Sequence, residues 1–143
     1  MTEKGEPVTA DDMLAEMRAL RDRVIGITDT ALSSRDGLII TADTADLDPD
    51  TLAALGAASL GLAQRMAAEV GKGLLRQAVT RSSGGYVAIY AVGSGALLVV
   101  VADIGVDIAR LDREAMATVS ALEALRSAQS GRSSGQAVSW LAA

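Results

Sequence analysis

Helical spacing of apolar residues appears three times along the chain, and short apolar runs bounded by turn residues lie between. Met13, Met17, Leu20 and Val24 recur every three to four residues, as one face of a helix requires. Thr9 and Asp12 precede and open this run as a capping pair, so a first helix is expected over Ala10–Arg23. Beyond Gly26 the helical period is lost. Thr30–Ser34 and Leu38–Ala42 flank Arg35-Asp36-Gly37, and Asp-Gly between two such runs is a strong hairpin signal. Asp48 followed by Pro49 starts a second helix, since a proline at the first helical position has no N–H to leave unpaired, and the pattern carries that helix to Val70. Gly71-Lys72-Gly73 ends it. Three strands are expected next, over Leu74–Ser82, Tyr86–Val92 and Ala96–Ala102, separated by Gly84-Gly85 and Gly93-Ser94-Gly95. A last helix, Val106–Ala128, carries Ile108, Leu111, Ala115, Val119 and Leu122 on one stripe. This gives a single domain over 10–128, with a polar flexible N-terminus at 1–9 and a Ser- and Gly-rich flexible tail at 129–143.

Two of these elements are apolar on both sides. In the second helix Leu52, Leu55, Ser59, Leu60, Ala63, Met66 and Val70 make one stripe, expected to pack on the domain's own sheet. The opposite face should carry charge if it met water. Instead Ala54, Ala57, Ala58, Gly61, Leu62 and Ala68 keep it small and uncharged until Arg65 and Glu69. A helix apolar all round is buried all round, so this second face is expected against a partner. The fifth strand, Ala96–Ala102, has no polar alternation and therefore belongs at the centre of a sheet with helices above and below. The third, with Arg76, Gln77, Thr80 and Arg81, reads as an edge. The fold class is α/β (α+β), in the order α-β-β-α-β-β-β-α.

Composition narrows the chemistry. There is no Phe, with two Tyr and one Trp, so the core is aliphatic. A net charge of −5 opposes binding to a phosphate backbone, and no nucleic acid is expected as partner. The absence of Cys and His removes disulfides, thiolate and Ser-His-Asp nucleophiles and nearly every zinc site. The uncharged stretch Thr51–Gln64 is too short for a bilayer span, so no membrane insertion is expected, and the polar N-terminus suggests a cytoplasmic protein. Asp43, Asp46, Asp48 and Asp50 imitate the start of a calcium loop. Counted from Asp46, however, Thr51 stands where the loop needs glycine and Ala57 where it needs a bidentate Glu. The only Gly-Lys pair is followed by Gly73 and a strand rather than by Ser or Thr and a helix, which excludes a phosphate-binding loop. Gly93-Ser94-Gly95 lacks the third glycine of a dinucleotide fingerprint. No catalytic, cofactor-binding or metal-binding residue is assigned, and the chain reads as a protein that binds rather than an enzyme.

The order of elements resembles the roadblock/dynein light chain family over Asp12–Leu125, and most closely its bacterial conservon-type members. Val24-Ile25-Gly26-Ile27 stands where those proteins have Val-Pro-Gly-Val, with Ile25 replacing the proline, and Ser34-Arg35-Asp36-Gly37-Leu38 matches their hairpin. Gln77-Ala78-Val79, Gly85-Tyr86, Gly93-Ser94-Gly95-Ala96-Leu97, Ala102-Asp103 and Asp107-Ile108-Ala109 follow at the family's spacing. The resemblance implies a five-stranded antiparallel sheet between the second helix on one face and the first and third on the other. It also implies a homodimer through the second helix and third strand, which points to Ala54, Ala57, Ala58, Gly61, Leu62, Arg76, Ala78 and Thr80 as interface residues. Family members are platforms or regulators for Ras-like small GTPases. A GTPase contact is accordingly expected at Gln64, Arg65, Glu69, Lys72 and Arg76, whose polar groups surround the small-residue surface. The alternative is a small-molecule-sensing signalling domain, which would need an enclosed pocket.

Overall fold

The computed structural model describes residues 6–142, with side chains for 6–131. Eight elements follow in order: α1 (Ala10–Arg23), β1 (Ile27–Ser34), β2 (Ile39–Asp43), α2 (Pro49–Glu69), β3 (Gln77–Ser82), β4 (Gly85–Val92), β5 (Ala96–Asp103) and α3 (Ile108–Ala142). The strands form one antiparallel sheet in the order β2-β1-β5-β4-β3. The uniformly apolar β5 lies at its centre. The α1–β1 turn brings Gly26 against β5, where its carbonyl accepts from the Asp103 N–H at 2.9 Å. Gly26 sits at φ +109°, and a Cβ there would come within 3.2 Å of Val106, so the turn needs glycine on both counts.

The sheet has an apolar layer on each face. On one side Met13, Met17 and Leu20 of α1 and Leu111, Ala115 and Leu122 of α3 close over Leu32, Tyr90, Leu98 and Val100. On the other side α2 covers Ala31, Ile89, Leu97 and Val99 with Leu60. Tyr90 is fully buried, and its hydroxyl donates toward Asp112 of α3 at 3.5 Å. Burial first and then the Asp112 carboxylate hold the phenol above its ordinary pKa.

Local signals account for the element ends. The Thr9 N–H donates to Asp12 Oδ2 at 2.8 Å, closing the start of α1. Asp48 caps α2, taking the Thr51 hydroxyl at 2.7 Å and the Asp50 N–H at 3.4 Å. The Thr51 bond is the main reason its carboxyl titrates below the ordinary value. Asp43 pairs with Arg21 at 3.1 Å, so two acids of the calcium-like run serve the fold.

Several boundaries differ from those read in the sequence. β1 starts at Ile27 rather than Thr30, since pairing of Ile27 with Ala102 and of Asp29 with Val101 carries the polar residues Thr28 and Asp29 into the strand. β3 starts at Gln77 rather than Leu74, which lies outside the sheet. α3 continues past Ala128 to Ala142. Ile108, expected on its buried stripe, is 38% exposed at the helix's first residue.

The larger difference concerns the orientation of α2. Its buried residues are Ala53, Gly56 and Leu60, whereas Leu55, Met66 and Val70, expected against the sheet, are exposed. A Cβ on Gly56 would come 2.6 Å from Val99 Cγ2. Branched side chains fill the strand surface beneath α2, so the helix turns its smallest residues toward it and packs close.

Candidate interaction surface

The outward face of α2 has the spacing of a helix seam. Leu55, Leu62 and Met66 are 63%, 67% and 65% exposed, and with Ser59 between them they follow one another at intervals of four, three and four, as in helices that pack along their length. Ala54, Ala58 and Gly61 lie exposed beside them. An added Cβ on Gly61 would meet nothing within 4 Å, which leaves room for close approach of another backbone. Beside the helix, a groove of about 280 Å³ runs between α2 and the outer strands, lined by Leu52, Leu55, Thr80, Val87, Ile89 and Val99.

The edge of the sheet adjoins this face. β3 pairs with β4 alone. Ala78 stands opposite Ile89 and Thr80 opposite Val87, and both partners pack in the layer under α2. Side chains alternate across a strand, so Ala78 and Thr80 share the α2 side of the edge, whereas Arg76 precedes the strand and lines a groove toward α3. An edge strand with unpaired N–H and C=O groups is a template for another strand.

The residues singled out in the sequence do not all occupy one kind of position. Ala54, Ala58, Gly61 and Leu62 face outward, whereas Ala57 is half-buried against the α2-side layer. Arg65, Glu69, Lys72 and Arg76 are exposed. Gln64 turns inward: its Oε1 accepts the Leu75 N–H at 2.7 Å, and its Nε2 donates to the Gly73 carbonyl at 3.4 Å. That amide fastens the α2–β3 loop. Leu55, Met66 and Val70 are exposed apolar residues of this surface that the sequence pattern had assigned to the sheet side. The 55-59-62-66 spacing was visible in the sequence and could have found the first two.

The Roadblock/LC7 domain family model matches residues 13–102, the span from the first buried residue of α1 to the end of the central strand. The chain belongs to the Roadblock/LC7 family. A Roadblock/LC7 domain from Streptomyces avermitilis is 30% identical and superposes with a TM-score of 0.72, covering 76% of this chain and 92% of that one. MglB of Myxococcus xanthus, 16% identical, gives a TM-score of 0.78 over 90% of this chain and 96% of its own. The gliding protein MglB from Thermus thermophilus, 20% identical, gives 0.73 over 87% and 94%. At these identities the two MglB structures share the fold. No curated protein matches by sequence. The Roadblock/LC7 sheet, with one helix on one face and two on the other, is thus present in full. No helix among the described residues is long and apolar enough to cross a membrane.

Proposed function

We propose that this Roadblock/LC7 protein is a non-enzymatic homodimeric adaptor that binds a Ras-like small GTPase and modulates its nucleotide state or its recruitment. The observation that carries the reading is the exposed apolar seam of α2 beside the open edge of β3. Two copies that pair these features would extend one sheet across both subunits and cover Leu55, Leu62 and Met66. The family supplies the class of partner, since its members serve small GTPases. The GTPase would meet the surface formed where the two α2 helices run side by side, with Arg65, Glu69, Lys72 and Arg76 as its polar rim. Arginine and lysine at a rim steer association more than they hold subunits together.

Native purification followed by nucleotide analysis of any co-purifying small GTPase identifies the partner. With that GTPase loaded with a GTP analogue, calorimetry on the Arg65→Glu/Lys72→Glu variant should show binding at least tenfold weaker while light scattering still reports a dimer. Unchanged affinity in a dimeric variant places the contact elsewhere.

A further inference from the structure

The largest open groove among those described is not the one beside the α2 seam. It holds about 750 Å³ and lies between the α2–β3 loop and α3, beside the end of β4 and ahead of the start of β3. Leu74, Leu75, Met116 and Val119 give it apolar lining, and Lys72 and Arg76 line it as well. Met116 and Val119 lie on α3, beyond the residues that the Roadblock/LC7 family model matches.

Leu74 is 88% exposed, and an exposed leucine alone means little. This one is held in place. The Lys72 N–H donates to the Ala67 carbonyl at 2.8 Å, Gln64 grips Gly73 and Leu75 on either side, and the Arg76 carbonyl accepts the Ala91 N–H at 2.9 Å. Gly71 and Gly73 have φ of +71° and +85°, left-handed values that let the loop turn tightly enough for these bonds. A leucine on a loop whose backbone is already ordered, next to an apolar trough, is a ready anchor for a partner because docking does not have to order the loop.

Charge selects the partner's chemistry. The chain as a whole is at −5, yet the groove lining carries two cations. Among the described residues the ion pairs are Arg21–Asp43 and Arg23–Glu114, and neither includes Lys72 or Arg76. The acid lining the groove, Glu123, already accepts the Gly93 N–H at 3.1 Å. We infer that this groove docks an acidic segment of a protein partner, with one apolar side chain of that segment seated among Leu74, Met116 and Val119 and its carboxylates facing Lys72 and Arg76. The assignment goes beyond the adaptor reading and does not require the partner to be a GTPase.

The test uses the full chain with ¹³C-methyl methionine. It is titrated with an amidated decapeptide of glutamate and aspartate around a central leucine pair, with its counterpart in which every acid is lysine, and with phosphatidylglycerol vesicles. The Met116 methyl resonance should move saturably with the acidic peptide. Leu74→Ser and Lys72→Glu should each weaken that response at least tenfold, while Arg65→Glu, on α2 outside the groove, should leave it unchanged. Leu74 is almost wholly in water, so its replacement leaves the fold intact. A silent Met116 with the acidic peptide, an equal response to the lysine peptide, or a response to vesicles alone overturns the assignment. So does a shift that follows protein concentration instead of peptide, which would make a second copy the occupant. Loss of GTPase binding in Arg65→Glu alone bears on the adaptor reading; loss of the peptide response in Leu74→Ser bears on this one.

Discussion

Gly56 sets how close α2 can come to the sheet. Its missing side chain is the space taken by Val99 Cγ2, which would lie 2.6 Å from an added Cβ. Gly56→Ala should therefore push the helix outward and cost about 1–3 kcal/mol, as overpacking of a core does, read as a lower urea midpoint at unchanged m-value. Gly61 is the internal comparison, further along the same helix with nothing within 4 Å. There alanine should leave the fold as stable or slightly more so, because it favours helix over glycine by about 1 kcal/mol. In sequence both are glycines in an alanine-rich helix; Gly61 reads as part of the outward face, as it is, but no local rule marks Gly56 as the buried one. Gln64 was equally opaque, a polar residue near a helix end that reads as solvated and instead holds Gly73 and Leu75.

Elements were legible wherever a local signal stated them. The Thr9/Asp12 start of α1, the Asp48-Pro49 start of α2, the Asp36-Gly37 hairpin and the glycine turns on either side of β4 each fix a chain reversal or a cap within a few residues, and the structure has all of them. The centre and the β3 edge of the sheet were legible too, from the lack of alternation in β5 and the charges in β3. What the sequence did not settle was which side of α2 meets the sheet. Both of its stripes are apolar, periodicity carries no information about which one is inside, and the larger side chains were assigned inward. Of that stripe the sheet took Leu60, with Leu52 half-buried, and it added Ala53 and Gly56 in place of Leu55, Met66 and Val70. This strengthens the expectation that α2 is shared between two copies. Ala58→Arg should lift the dimer dissociation constant at least a hundredfold, since a charge forced into an apolar contact without a partner costs about 3–5 kcal/mol. Sedimentation equilibrium at micromolar concentration measures it, and a wild-type monomer there removes the premise.

For the molecule as a whole, the described side chains already close the domain before the last stretch of α3. Leu122 is the final fully buried residue of the core, and Gln129 Nε2 donates to the Val8 carbonyl at 3.1 Å, tying the end of the described contacts to the start of the chain. A chain ending at Gln129 should consequently melt within a few degrees of the full-length protein in calorimetry. A larger loss would show that Trp140 or its neighbours pack on the domain.

The two margins of the sheet are not equivalent. β2 is short, its pairing with β1 slips between Leu32 and Ser33, and α1 reaches its end through the Arg21–Asp43 pair; β3 is paired with β4 in unbroken register along its whole length. Bulges and shortness discourage pairing along an edge. A sheet with two open margins can add neighbours without limit and become a ribbon. With a single open margin, a symmetric contact consumes the very surface that made it, and growth stops at the pair. Under the proposed pairing through α2 and β3, the slip in β2 would act as a counting device: by blunting the far margin, it would keep the assembly from growing into fibres.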